Sequence, residues 1–268
     1  MATSSRIWSG ARRRSPQRCR WSGPPVNRRG TTRRPARAKA PDERRIRSMF
    51  DGLVERYDLL NDVLSLGLDR WWRRATASAL AATSGDPVLD LGCGTGRLGM
   101  LLAARHSVIG LDVSRAMLQQ ARRRSAGRLG LIQGSAFRLP FRDASLGGVA
   151  SAFVLRNLDD LPRTFAELAR VVRPGGGLAL ADITEPSHPL VRTLFDAYFR
   201  TAAPALGALV GKRGEYSYLV KSLTHLPPRH EMCEMLRRAG FIECRARPLT
   251  GGMVTLFTAQ RAQETSNG

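Results

Sequence analysis

Residues 87–112 read P-V-L-D-L-G-C-G-T-G-R-L-G-M-L-L-A-A-R-H-S-V-I-G-L-D, and this stretch constrains the fold more than any other. A short apolar run over 88–91 ends in a turn with glycine at 92, 94 and 96. Leu98, Leu101 and Leu102 follow at helical spacing, and a second apolar run ends at Asp112. Strand, turn, helix, strand is the opening of a parallel α/β sheet. The glycines let the backbone turn tightly and approach a ligand that no Cβ would admit. Asp112 falls 20 residues after Gly92, at the carboxyl end of the second strand, where an acid holds ribose hydroxyls in nucleotide-binding folds.

The glycine spacing separates two ligand classes. A dinucleotide site asks for G-x-G-x-x-G, with a pyrophosphate on the helix N-terminus. Here the glycines alternate, in G-C-G-T-G, and Asp90 precedes them. A carboxylate beside the turn suits a cationic ligand and opposes a pyrophosphate. The D-L-G-C-G-T-G string resembles the first motif of the class I S-adenosylmethionine-dependent methyltransferases, in which the turn packs on the methionine part of the cofactor.

The net charge of +21 is unevenly placed. Residues 1–41 hold eleven Arg and Lys39 and no acid, whereas 42–268 hold 31 basic and 22 acidic residues. With Gly23-Pro24-Pro25 and no apolar periodicity, 1–41 cannot bury enough surface to fold and reads as a disordered basic tail. Three sharper readings stand beside that one: an organellar transit peptide, an arm for nucleic acid or anionic membrane, and sequence upstream of a start nearer Met49. A chain with 40 Arg and 3 Lys suggests a GC-rich genome, and the tail is read as a dispensable bacterial one. Cys19, Cys93, Cys233 and Cys244 are not spaced as a metal or redox pair, nor do the four histidines share a ligand spacing, so no metal site is expected. No apolar run reaches the ~18 residues of a membrane span. A cytoplasmic protein is expected, peripheral to the inner face of the membrane, with a mitochondrial location as the alternative if the tail is a transit peptide.

Along the chain, 42–82 reads as a helical cap, with Tyr57, Asp58 and Asn61 as polar groups that would face inward if the cap is a lid. Ser114 is a good N-cap for a helix through Arg124. A third strand over 129–133 runs into G-S-A-F, and a central strand over 146–153 ends in A-F-V-L-R-N-L-D-D, at the edge where α/β enzymes keep their sites. Arg156 there reads either as a functional cation or as a loop arginine paired with Asp159 or Asp160. The R-P-G-G-G string closes the next helix and leads to a strand over 178–183. Residues 186–224 form an apolar insertion with a helical pair, which could build a pocket for a greasy substrate. A helix follows Pro227-Pro228, and the last two strands turn at 250–252. The expected domains are thus the tail 1–41, a catalytic domain 42–262 and a flexible end, 263–268.

These pieces resemble the ubiquinone/menaquinone biosynthesis C-methyltransferases from about Arg47 to Arg261. The strings that carry the likeness are M-F-D-G-L-V-E-R-Y-D-L-L-N-D-V-L-S-L-G-L-D-R-W-W-R-R, F-V-L-R-N, R-V-V-R-P-G-G, Y-S-Y-L-V-K-S-L and P-L-T-G-G-M-V-T-L-F. The resemblance implies a doubly wound, mostly parallel seven-stranded α/β sheet of the Rossmann-like kind, with the cap and the inserted helical pair. It implies S-adenosylmethionine as cofactor and the C-methylation of a prenylated quinol, demethylmenaquinol to menaquinol. A ubiquinone precursor, or another small lipid or polyketide, is the alternative substrate. A nucleic-acid-binding protein is the rival from another class, unsupported by any aromatic-basic platform. Cofactor contacts fall on Asp90, Gly92, Gly94, Thr95, Gly96, Asp112, Ser135 and Ala136, and the catalytic region on Tyr57, Arg156 and Asn157. No general base stands out beyond Asp58 or a water. The expected partners are the prenylated quinol, a membrane surface in transient contact and a second copy in a homodimer, with no specific nucleic acid. Three positions depart from the family pattern: Ser135, Ala152, and A-D-I-T-E-P over 181–186, where the family has L-E-F-S-x-P.

Overall fold

The structure, a computed structural model, describes residues 43–82, 85–186, 188–195, 197, 198, 201 and 226–263. The tail 1–41, most of the insertion over 186–224 and the last residues, 264–268, lie outside the described residues. Two helices open the described chain, α1 (Glu43–Leu64) and α2 (Leu68–Ala79). They confirm the helical cap. The core alternates β1 (Val88–Leu91), α3 (Arg97–Leu102), β2 (Val108–Asp112), α4 (Arg115–Ser125), β3 (Gly130–Gln133), β4 (Leu146–Ala152), α5 (Leu161–Val171) and β5 (Val172–Ile183). It ends with α6 (Arg229–Arg238), β6 (Phe241–Leu249) and β7 (Val254–Arg261).

The seven strands lie in the order β3-β2-β1-β4-β5-β7-β6. The first five in that order pair in parallel, and β7 runs antiparallel to both β5 and β6. β1 starts in the middle. The chain winds outward to β3 and then returns to place β4 on the other side of β1. The crevice at the carboxyl ends of β1 and β4 is therefore a topological switch point, the place where this sheet type binds ligands. Because side chains alternate along a strand, the two faces of β1 and β4 feed two cores. Leu89, Leu91 and Val149 pack with Phe165, Leu168, Met232 and Leu236 under α5 and α6. Val88, Ala150 and Ala152 pack with Trp72, Leu98 and Leu102 under α2 and α3.

Ser114 caps α4 as expected, its hydroxyl accepting from Met117 N at 3.1 Å. One expectation is corrected. R-P-G-G-G is not a turn between a helix and a strand but lies inside β5. The ladder to β4 slips there, from the pair Leu146–Val172 to the pair Gly148–Gly177. Gly175, at φ 80°, takes up the bulge that other residues would resist. Cys93, Cys233 and Cys244 carry free thiols, and burial pushes Cys244 up to about 12. Among the described residues no helix is long and apolar enough to cross a membrane.

Candidate active site

Two cavities open at the switch point. The first runs over the glycine turn, past Asp112 to Ala136 and Phe137, and is closed by Tyr57, Arg73, Phe153 and Asn157. The second, about 440 Å³, is an apolar chamber between the cap and the sheet, with Leu64, Leu66, Trp72, Ile183 and Met253 among its walls. Phe153 lines both.

The turn after β1 makes the floor of the first cavity. Gly92 sits at φ 63°, and a Cβ there would collide with Val154 Cγ2. Two constraints thus fall on one position, a left-handed backbone and a wall of the cavity pressed against it. Gly94, at φ 53°, has open space where its Cβ would be and offers a backbone edge to a ligand. Gly94 N–H donates to Asp112 Oδ2 at 2.8 Å, and Ser114 N–H donates to Oδ1 at 2.9 Å. Those bonds aim the carboxylate into the cavity and leave each oxygen a second lone pair. Burial raises the Asp112 pKa, and the backbone amides of Ser114, Gly94 and Val113 pull it back. An acid so placed, an apolar slot beyond it and a turn that admits close approach fit an adenosine whose sulfur substituent reaches over the glycines.

The expected cofactor contacts divide. Gly92, Gly94, Thr95, Asp112 and Ala136 line this cavity, whereas Asp90, Gly96 and Ser135 are not among its lining residues. Gly96 instead ends the turn, where a Cβ would press on Ala121 at 3.2 Å. Ser135 accepts from Phe137 N at 3.2 Å within its own loop. Asp90 is 1% exposed beneath the turn, and its Oδ2 has no hydrogen-bond partner among the described residues. Burial pushes the Asp90 carboxyl up to about 7, against the pull of Arg73.

The cap is fastened to the turn by charge. Thr95 Oγ1 donates to Asp58 Oδ1 at 2.7 Å, and Arg124 bonds both Thr95 and the Asp58 carboxylate. Arg97 grips Asp62 bidentately, at 2.6 and 3.0 Å, and touches Asp69 at 3.1 Å. Hydrogen bonds from Arg97 hold the Asp62 carboxyl down at about 2. Asp58, considered from the sequence as a general base, is paired with Arg97 and Arg124 and fastens the cap to the turn. Of the polar residues expected to face inward, Tyr57 lines the first cavity and Asn61 the second.

Tyr57, Arg156 and Asn157, the residues expected to be catalytic, lie where the two spaces meet. A short 3-10 turn, Leu155–Asn157, follows β4 and places Asn157 in the wall of the first cavity and Arg156 in that of the chamber. Arg156 does pair with an acid, but with neither Asp159 nor Asp160. Its Nη1 donates to Asp182 Oδ1 at 2.5 Å, and its backbone N–H to Asp182 Oδ2 at 3.1 Å. Asp160 is occupied as the N-cap of α5. Asp182 is 0% exposed at the end of β5, where burial favours a fixed pair over a solvated one. Phe153 carries the geometry between them: its backbone is left-handed at φ 70°, and Arg73 and Arg156 stand 5.1 and 5.9 Å from its ring centroid. A non-glycine residue in that conformation is uncommon, and such strain gathers at functional sites.

Sequence reasoning missed Arg73, Phe153 and Asp182. A signal for Arg73 was present: Asp69, Trp72, Arg73 and Thr76 are the buried residues of α2, so a charged pair occupies the inner stripe of an amphipathic helix. Asp182 lies in one of the strings that depart from the family pattern.

Residues 38–261 match the model of the ubiE/COQ5 methyltransferase family. The chain is 40% identical over 224 residues to the demethylmenaquinone methyltransferase of Mycobacterium marinum, covering 83% of this chain and 96% of that one. It is 36% identical over 222 residues to the ubiquinone/menaquinone biosynthesis C-methyltransferase of Syntrophotalea carbinolica, covering 81% and 94%. Among solved structures, an S-adenosylmethionine-dependent methyltransferase from Thermotoga maritima matches with a TM-score of 0.59 at 17% identity, over 81% of this chain and 99% of that one, a likeness of fold.

Proposed function

This chain belongs to the ubiE/COQ5 methyltransferase family, and from that premise we propose that it methylates a ring carbon of a prenylated quinol, converting demethylmenaquinol to menaquinol. It is an S-adenosylmethionine-dependent enzyme. The observation that carries the substrate reading is the shared wall at Phe153: a polar-ended slot that fits the cofactor abuts an apolar chamber that fits a ring with a prenyl tail. When bound, S-adenosylmethionine supplies an electrophilic methyl group on a cationic sulfur. Asp112 and Ala136 would hold its adenosine, with the glycine turn beneath its sulfur substituent.

The chain's own residues must then present a ring carbon and keep water out. Such a carbon is a weak nucleophile until a neighbouring ring hydroxyl gives its proton to a bound water and pushes charge onto it; once methylated, the carbon gives up its own proton by the same route as the ring regains aromaticity. Arg156 stands in the chamber wall as a permanent cation and favours that oxyanion. Its pairing with Asp182 fixes the guanidinium in the chamber wall. Asn157 orients the ring oxygen from the adjoining wall, and Tyr57 closes the slot from the cap. Fixing the ring in line and shutting out water supplies much of the rate.

The chamber also supports transient contact with a membrane surface. Leu66 and Leu194, in its walls, are 76% and 69% exposed, and Leu59, Trp71 and Leu190 are exposed as well. A quinol held in a bilayer would reach the chamber without crossing water. The test of the reaction is incubation of the purified protein with methyl-labelled S-adenosylmethionine and reduced demethylmenaquinone. Label on a ring carbon of the quinone is the expected result. No label on demethylmenaquinone, with label on a ubiquinone precursor or another lipid in a parallel incubation, overturns the substrate assignment.

A further inference from the structure

We propose that Arg73 receives the α-carboxylate of the cofactor's methionine portion, an assignment that rests on the methyl-donor reading above. Arg73 lies on the inner stripe of α2, is 7% exposed and lines the first cavity. Its Nε donates to both Asp69 oxygens, at 3.0 and 2.9 Å, and its guanidinium lies over the Phe153 ring. The two Nη groups make no hydrogen bond among the described residues. Two anchored sides and a bare end make a rigid fork, and a guanidinium can only donate. Asp69 does not neutralise it alone, because the same carboxylate also accepts from Arg97. Asp90, the other acid near it, is shifted toward its neutral form by burial. The end of the cavity that Arg73 closes is thus short of negative charge.

The direction of the ligand follows from the rest of the slot. Asp112 marks the ribose, and Ala136 and Phe137 the base, so the amino-acid end of the cofactor lies toward Tyr57, Arg73 and Phe153. That end bears an ammonium, a sulfonium and a carboxylate, and only the carboxylate accepts hydrogen bonds. Arg73 is in this sense a specificity residue: it distinguishes an intact amino-acid tail from a truncated thioether.

Calorimetry with two ligands tests the assignment without turnover. S-adenosylhomocysteine keeps the carboxylate, and 5′-methylthioadenosine lacks the whole amino-acid tail. Arg73→Met should weaken S-adenosylhomocysteine by about 10–100-fold, as expected for a charge-assisted bidentate pair, and leave 5′-methylthioadenosine unchanged. Arg73→Lys keeps the charge beside Asp69 and loses the fork, so it carries the test if Arg73→Met does not fold; a selective loss for S-adenosylhomocysteine is again expected. Equal losses for both ligands would make Arg73 structural and overturn the proposal. Unchanged affinity for both, with a raised KM for the quinol, would move the guanidinium to the substrate oxygen and overturn it too. Wild-type protein that binds neither ligand would overturn the methyl-donor reading itself, a result distinct from the other two.

Discussion

The floor of the cofactor slot takes 91–95 and 111–113 from two short stretches of chain, whereas the apolar chamber draws on the end of α1, the end of β5, Leu194, Phe195 and Tyr198, and the turn before β7. The slot is held by backbone: glycine conformations and amide bonds to Asp112. The chamber is held by side chains that meet across long intervals, such as Trp72 Nε1 donating to Thr250 Oγ1 at 2.9 Å. A slot made of backbone tolerates little change, because its donors cannot be re-aimed. A chamber made of side chains can be resized, and its cost is the ionic pair needed to fix a cation in an apolar wall.

The largest effect should come from that pair. Arg156→Ala leaves the Asp182 carboxylate buried and unpaired, and a loss of about 3–5 kcal/mol in unfolding free energy is expected. The double change Arg156→Met with Asp182→Leu should recover stability while turnover stays down by about 10²-fold. Recovery of turnover along with stability would make the pair structural only.

The slot has its own buried charge at Asp90. Its folded pKa, about 7, lies above the ordinary 3.8, so the native state keeps the proton longer than the unfolded chain. Stability should be fully present below about pH 4 and fall as pH rises to about 7. Asp90→Asn mimics the protonated acid. It should be more stable than wild type at pH 8, by up to roughly 4 kcal/mol at 1.36 kcal/mol per pKa unit, and equal near pH 4. Denaturant titrations at both values measure this, and a constant offset would contradict it.

Asp112→Ala removes a cofactor contact. S-adenosylhomocysteine should bind more weakly by about 2–3 kcal/mol, the scale of charged hydrogen bonds. Unchanged affinity by calorimetry would remove Asp112 from the ribose. The smallest change in stability belongs to Leu66→Asp, within about 0.5 kcal/mol because the side chain is exposed. Its effect should appear as a raised KM for quinol presented in anionic vesicles, with little change for a short-chain quinol in solution. Equal effects on both would argue against contact between the chamber mouth and lipid.

Much of the slot was legible before the fold, and little of the chamber. The alternating glycines, Asp112 and Ala136 are read from neighbouring positions, and the structure places all but Gly96 of them around one cavity. Asp90 was legible as a carboxylate near the turn, but its burial under the turn was not. Arg156 was legible as a cation at the end of a central strand, but the sequence suggested a partner three or four residues away. The sheet supplies one 26 residues away, since β5 lies beside β4 and ends at Asp182. Thr95, expected at the cofactor, also proves to hold the cap through Asp58, 37 residues earlier.

By itself the sequence determined the order of strands and helices, the glycine turn and the acid that faces it, because these depend on backbone sterics and on period over a few residues. Only the tertiary structure decided which acid neutralises Arg156, that Arg73 turns inward, and that Phe153 becomes the wall between two cavities. Those outcomes depend on which charges lose water together when sheet and cap close. Desolvation is a property of the packed molecule, and a partner chosen by burial leaves no mark in local spacing.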